Sequence, residues 1–223
     1  MSGIVGSKLN IRGSGLVGSL GTDGQHLLSS GVGKTNTFET VSASADWVKL
    51  HHSELVSGDV SEIQVTEVFS ATYQVYKIFI SRYFGPQYGK FAFLVDTTTQ
   101  TSSYLMKGVY ISGTATTGAN SPQVFGFDDA DGCYTNFQMA LQDAVGDNSG
   151  RTTDCEITVF NPIASDLQTN AIIADTGSGD DNYYGLCHTG LSYQNTTAIN
   201  GFEIVAVTDN IVNCMISVYG LKV

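Results

Sequence analysis

The stretch Cys155–Phe160, with the sequence CEITVF, decides the fold class of this chain. Cys155, Ile157 and Val159 recur at every second position, with Glu and Thr between them and Phe after them. Successive side chains of a β-strand point to opposite faces of the sheet. This alternation therefore predicts a strand with one buried face.

Similar segments lie on both sides of this stretch, from residue 60 to the C-terminus. They are short, rich in β-branched and aromatic residues, and separated by turn residues such as Asn200-Gly201 and Asp209-Asn210. About eight to ten strands at this spacing predict an all-β fold, an antiparallel, jelly-roll-like β-sandwich. We expect exposed loops at 97–100 and 177–181. The other strand segments are 62–69, 74–80, 90–95, 104–111, 134–141, 171–174, 183–191, 202–207 and 211–219.

The first 40 residues differ from this body. They hold 9 of the 25 glycines, and short apolar pairs are separated by Gly and Ser. Such a segment cannot bury enough apolar surface to fold alone, so we expect an extended assembly arm over 1–40, a linker over 41–58 and the β-sandwich over 59–223. The candidate anchoring residues of the arm are Ile4, Val5, Leu9, Ile11, Leu16, Val17, Leu20, Leu27 and Leu28.

The net charge of −11 is confined to the second half of the chain. Residues 1–111 carry 8 basic and 8 acidic side chains, whereas residues 112–223 carry only Arg151 and Lys222 against 13 acids, which gives 2 − 13 = −11. An acidic surface repels phosphate, so nucleic-acid binding is not expected. A solvated acidic face explains the excess, and attraction to a basic partner or to Ca²⁺ is the alternative.

The four cysteines, all in the second half, lack the spacing of a zinc site. Cys155 and Cys214 fall in alternating strand patterns, which favours small buried side chains. We expect no membrane insertion, since no apolar stretch approaches the roughly 18 residues of a span. The start of the chain does not resemble a signal peptide, so we expect free thiols and synthesis in a cytoplasm.

Two stretches of the arm resemble nucleotide-binding motifs without their structural context. Residues 13–18 (GSGLVG) match a dinucleotide fingerprint, but Gly21 and Gly24 follow where a helix would have to begin. Residues 31–35 (GVGKT) resemble the end of a P-loop, but Leu28 occupies the position of its first glycine. No nucleotide or other cofactor is therefore expected.

Clustered carboxylates are the one candidate for a metal site. Asp128, Asp129 and Asp131 precede a glycine, and a second acidic group spans 175–181. Oxygen ligands of this kind suit Ca²⁺, but the first group is too short for an EF-hand loop. Turn formation by Asp-Gly explains the same residues.

No arrangement of side chains in the sequence predicts catalysis. His51 and His52 are adjacent, so on a strand they would face opposite sides. The same holds for Cys187 and His188. A pair of distant carboxylates that acts as a glycosidase stays open. We expect a protein that is not an enzyme.

Four stretches resemble parts of bacteriophage tail-fibre and virion proteins. The first, 15–39, contains Asp23-Gly24-Gln25 and leads to an aromatic residue. Residues 76–86 (YKIFISRYFGP) are similar to an aromatic-rich early strand of their β-sandwich domains. Residues 159–162 (VFNP) resemble a strand followed by Asn-Pro, and 218–222 (VYGLK) resemble their C-terminus. The cysteines and the 128–131 loop are not part of this resemblance.

The resemblance implies a phage virion protein, a homotrimer exposed on the particle surface and contacting other virion proteins. We expect a tail-fibre or tail-associated subunit involved in host attachment. A capsid decoration protein on the head and, with less support, a glycan-cleaving virion enzyme are the alternatives. Asp181, Asn182, Tyr183 and Tyr184 form a candidate loop that contacts either a host glycan or a neighbouring subunit, since tyrosine rings serve both roles.

Overall fold

The computed structural model describes residues 25–28, 37–40, 47–84, 89–114, 118–119, 123–129, 153–178, 183–206 and 210–222. The chain divides into two compact units, residues 1–45 and residues 46–223. In the described ranges the secondary structure is β throughout, and all strand pairs are antiparallel. The all-β fold that the sequence predicts is confirmed.

Fifteen strands are described, two in the first unit and thirteen in the second. Their bounds are β1 Gln25–Leu28, β2 Thr37–Thr40, β3 Trp47–Leu55, β4 Glu62–Val65, β5 Tyr73–Phe84, β6 Gly89–Val95, β7 Thr98–Thr99, β8 Tyr104–Thr114, β9 Gly118–Ala119, β10 Gln123–Asp129, β11 Thr153–Phe160, β12 Thr169–Ser178, β13 Tyr183–Tyr193, β14 Gly201–Ala206 and β15 Asn213–Lys222.

The first unit contains a short hairpin where the sequence predicts an extended arm. Strands β1 and β2 pair antiparallel, with Leu27 opposite Phe38. This pairing gives the eight residues backbone partners within their own unit. The rest of the expected arm lies outside the described residues.

The second unit is built from two sheets. The larger has nine strands in the order β10-β8-β13-β12-β11-β5-β15-β3, with β9 paired to β8, and the smaller has the order β4-β14-β6-β7. Inward residues of both sheets belong to one hydrophobic cluster, for example Ile78, Ile157 and Val218 of the larger sheet and Phe91 and Phe202 of the smaller. One core shared by two antiparallel sheets is the arrangement of a β-sandwich.

Aromatic side chains join the two sheets. The ring of Phe93 on β6 stacks on Tyr104 of β8, with 6.0 Å between centroids. The N–H of Phe93 donates a 2.9 Å hydrogen bond to the Tyr104 hydroxyl. The hydroxyls of Tyr104 and Tyr193 donate to the backbone and side-chain oxygens of Gln100. Each tyrosine therefore buries its ring and still satisfies its hydroxyl group.

Strand β3 occupies residues that the sequence analysis assigns to a linker. Trp47–Leu55 pairs with β15 and forms one edge of the larger sheet. Leu50 and Leu55 pack against the core. The linker interpretation therefore does not describe residues 47–55, because the partner that makes them a strand lies at the opposite end of the chain.

Two predicted loops also contain strand residues. Thr98 and Thr99 of the 97–100 loop form the short strand β7. Strand β12 continues through Ser178, so Gly177 and Ser178 of the predicted 177–181 loop belong to the sheet, as does the start of the 175–181 acidic group. In particular, Asp175 is buried, with 3% of its surface exposed.

Asn161 explains how β11 ends. Its φ of 53° lies in the left-handed region, which Asn tolerates better than most residues. Its N–H donates to the carbonyl of Gln74, and its carbonyl accepts from the N–H of Ala164. The following Pro162 is buried, and its carbonyl accepts a 2.7 Å hydrogen bond from Ile199. The Asn-Pro step therefore turns the chain away from the sheet.

Candidate interaction surface

The outward face of the nine-stranded sheet carries exposed apolar side chains. Alternate residues of its strands point away from the core, as in β12, where Ala171 and Ile173 are buried while Ile172 is 52% exposed. Outward apolar residues at this exposure are unusual on a sheet face that only water contacts. Two groups of residues make up this surface.

The first group is an aliphatic strip of four residues, Val109, Val124, Ile172 and Leu186, which are 38%, 83%, 52% and 40% exposed. Val124 lies opposite Val109, and Val109 lies opposite His188, whose own partner across the next strand is Ala174. Leu186 and Ile172 lie beside this row on the same face. The aliphatic strip therefore spans strands β10, β8, β13 and β12, with His188 on β13 and Ala174 on β12 lying between its members.

The second group is an aromatic cluster of Trp47, Lys77, Phe79 and Tyr219, where β3, β15 and β5 meet. The Lys77 ammonium lies 5.7 Å from the Trp47 ring centroid and 5.9 Å from that of Phe79. Phe79 and Tyr219 meet edge to face at 5.8 Å. Lys77 also forms an ion pair with Glu156. These contacts hold Lys77 over the faces of the two rings, where its ammonium group is attracted to their π electrons.

A bulge at Arg82 shapes the sheet beside the aromatic cluster. Arg82 has a φ of 55°, and the register of β5 shifts against both of its neighbours here. Its N–H donates to Asp154 Oδ1 at 3.2 Å, and its guanidinium donates to Glu54 Oε1 at 2.8 Å. A shallow depression of about 300 Å³ lies between Phe79, Ala174 and the bulged segment.

A serine and a histidine meet on the same face. Ser217 Oγ lies 2.9 Å from His52 Nδ1, which is within reach for a nucleophile and its base. Catalysis also needs a group that orients the histidine and donors for a developing oxyanion. Among the contacts of the described residues, none reaches the other ring nitrogen of His52. His51 is half-buried while His52 is exposed, as their adjacency on a strand predicts.

Two glutamates meet on the smaller sheet. Glu62 shares a hydrogen bond with Glu203, and this bond, followed by charge repulsion and burial, raises the pKa of Glu62. Glu203 is buried and also accepts hydrogen bonds from Gln64 Nε2 and Thr99 Oγ1. Glycosidases hold their two carboxyl groups about 5 Å or more apart. This directly bonded pair is therefore too close for that reaction.

The three described cysteines are free and buried, which confirms that Cys155 and Cys214 act as small core side chains. Cys155 and Cys187 lie on either side of Asp175 in the sheet register. Two strand spacings of about 4.8 Å separate them, more than a disulfide spans. Burial raises the pKa of the Cys187 thiol to about 11 and that of Cys214 to about 12, so both are neutral near pH 7.

The sequence-predicted site residues are only partly described. Tyr183 and Tyr184 are the first residues of β13, paired with Thr114 and Gly113, and so belong to a strand rather than a loop. Asp181 and Asn182 lie outside the described residues. Of the arm residues, Leu27 and Leu28 lie in β1, while Ile4, Val5, Leu9, Ile11, Leu16, Val17 and Leu20 lie outside the described residues.

The calcium candidates Asp128 and Asp129 end strand β10, and Asp131 lies outside the described ranges. In the part of the chain that is described, no group of three or more His, Cys, Asp or Glu side chains is arranged to hold a metal ion.

The aliphatic strip and Asp175 are features that the sequence analysis missed, although each has a signal in the sequence. In residues 171–175 (AIIAD), Ala171, Ile173 and Asp175 share one face, which places a carboxylate among core residues. Ile172 is the apolar residue that the same pattern places on the outer face. The partners of both residues come from β8, β11 and β13, which the order of the chain does not reveal.

No protein-family model matches this chain, and no curated protein matches it. Within the described ranges, the chain forms no helix of the length and apolar character that a membrane crossing requires.

Proposed function

We propose that this chain is a non-enzymatic structural subunit of a bacteriophage virion, a tail-fibre or tail-associated protein that assembles as a homotrimer. The observation that carries the proposal is the aliphatic strip on the outer face of the nine-stranded sheet. Exposed apolar residues that group on one sheet face, as these four do, mark surfaces that pack against other proteins. A sandwich that carries such a group among polar side chains is suited to a subunit of an assembly.

The residues that resemble phage proteins supply the second support. In the Asn161-Pro162 step, Asn161 takes the left-handed conformation that ends β11. In the C-terminal Tyr-Gly-Leu-Lys segment, Gly220 lies beneath the ring of Tyr73. Asn161 ends a strand and Gly220 leaves room for a ring, so both residues are needed to build this sandwich. The resemblance to phage proteins at these two positions is therefore a resemblance in fold.

The non-enzymatic assignment is supported by the geometry of the two closest approaches to catalysis. Ser217 and His52 lie on an open strand surface, and Glu62 and Glu203 are directly hydrogen-bonded. A glycan-cleaving activity would need catalytic side chains other than these two pairs. Incubation of the purified chain with host polysaccharide is the control, and release of reducing ends would overturn this part of the proposal.

Host attachment is the proposed role of the assembled subunit, with a surface glycan as the ligand. Tyr183 and Tyr184 begin β13 and supply rings of the kind that stack on sugars. The first unit is proposed to attach the subunit to other virion proteins through the apolar residues of 1–28, because a Gly-rich segment with short apolar pairs buries more of them against a partner than alone.

Antibody labelling of intact particles in the electron microscope tests the location. Label at the tail supports the proposal, and label over the head would assign the chain to capsid decoration instead. Absence of label from particles that carry a detectable control label on another virion protein would overturn both assignments. An epitope tag for the antibody is inserted at the exposed loop residue Leu167, which does not belong to the aliphatic strip.

A further inference from the structure

Asp175 is an acidic side chain enclosed in the core of the sandwich. It is 3% exposed, and its Oδ1 has no hydrogen-bond partner. Thr153, two positions before Cys155 on β11, is 1% exposed, and its Oγ1 is also without a partner. A buried polar atom without a hydrogen bond carries a desolvation cost. Two such atoms lie at the same end of strands β11 and β12.

Among the described residues around Asp175, none gives its carboxyl group a compensating charge. Across β11 its register partner is Cys155, and across β13 it is Cys187, whose N–H donates to the carboxyl group. The other titratable groups beside these partners, Asp154, Glu156 and His188, flank them on the opposite face of the sheet. The two ion pairs of the described residues, Lys77 with Glu156 and Arg82 with Glu54, do not include Asp175.

We propose that Asp175 is a proton-dependent lock on the end of the nine-stranded sheet formed by Thr153, Ser178 and Tyr183. When protonated, the side chain stays in the core and this end is closed. When ionised, it is stable only in contact with water, so β11, β12 and β13 separate locally and expose Cys155 and Cys187.

The direction of the pH dependence follows from the energetics of burial. Burial raises the pKa of Asp175 from 3.8 to about 7, while the backbone hydrogen bond from Cys187 lowers it by less. The closed form therefore holds a proton that the open form has lost. The stability that burial of the protonated carboxyl group gives the closed form over the open form is fully present below pH 3.8. It is lost as the pH rises through about 7. Across this window opening increases by about tenfold per pH unit.

Thiol accessibility measures this opening directly. The full-length protein and its Asp175→Asn variant are treated with 4,4′-dithiodipyridine, which reacts with thiols at acidic and neutral pH, and labelled peptides are quantified by mass spectrometry. Between pH 5 and pH 7, labelling of Cys155 and Cys187 in the unmodified protein should rise relative to the variant on the order of 50-fold. Cys214, which is buried on β15, is the internal control and should show a ratio near one.

A second comparison removes the need for the variant. In the unmodified protein alone, the ratio of Cys155 to Cys214 labelling should increase over the same pH range, because the intrinsic reactivity of exposed thiols cancels. Labelling of Cys155 and Cys187 that follows Cys214 at every pH would overturn the proposal. An equal pH dependence in the protein and the Asp175→Asn variant would overturn it as well.

Discussion

Gly220 shows how one residue of the C-terminal motif is required by packing. It lies in β15, is buried, and has the ring of Tyr73 above it. A Cβ atom at this position would come within 3.0 Å of three carbons of that ring. Only glycine leaves room for the tyrosine, which in turn packs edge to face against Tyr76 of the core.

Substitution Gly220→Ala should lower the free energy of unfolding by about 1–3 kcal/mol, because it overpacks the space under Tyr73. Gly190→Ala is the matched control in another strand of the same sheet. There the nearest atom to a new Cβ is the carbonyl oxygen of Lys107 at 3.8 Å, and we expect a change within about 0.5 kcal/mol. Urea midpoints measure both, and equal midpoints for the two variants would contradict this account of the motif.

Asp175 and the aromatic cluster mark the limit of sequence analysis for single residues. Alternation places Asp175 on a buried face and Phe79 on an exposed one. It does not reveal that two thiols flank the carboxylate, nor that Lys77 lies between Trp47 and Phe79. These contacts join strands far apart in sequence, so a local pattern carries no information about them.

The alternation of β11 was sufficient to predict an all-β sandwich, because buried and exposed faces alternate along most of the strands. Strand β3 could not be assigned in this way. Its partner is β15, and His52 meets Ser217 across 165 positions. Its burial pattern also breaks at Leu50 and His51, which are both half-buried beside a register shift. A bulge of this kind interrupts the period of two that identifies a strand.

Truncation tests where the body begins. Removal of residues 1–45 should leave a body that unfolds cooperatively, since β3 and the strands of both sheets are retained. Removal of residues 1–58 deletes β3 and the core contacts of Leu50 and Leu55. It should cost at least about 3 kcal/mol, the scale of losing one or two buried leucines. Circular dichroism against denaturant compares the two, and equal stability would contradict the placement of β3 in the sheet.

The aliphatic strip is the proposed contact between subunits, so a charge placed in it should weaken the homotrimer. Ile172→Lys places a charge in the proposed interface and should weaken association by on the order of 3 kcal/mol, about 150-fold in dissociation constant. Leu167→Lys is the matched control, because Leu167 is 51% exposed and Ile172 is 52% exposed, but Leu167 lies between β11 and β12. Light scattering after size exclusion should give a trimer for the control and monomer for Ile172→Lys. A trimer in both would exclude the strip as the interface.

The charge distribution of the whole molecule is compatible with a subunit that works in a crowded assembly. The second half of the chain carries the net charge of −11 together with the residues of the aliphatic strip on β10, β12 and β13. Charge keeps separate assemblies apart in solution. In the proposed homotrimer, the aliphatic strip would provide attraction at one defined face, so that assembly stops at a closed oligomer.

The proposed role of the chain as a structural part of a virion is tested most directly by quantitative mass spectrometry of gradient-purified phage particles. Particles from the lysate in which the chain is produced are separated from free protein, and its peptides are counted against those of the major capsid protein. We expect a fixed copy number per particle, a multiple of three. Peptides that are abundant in the lysate and absent from purified particles would contradict it.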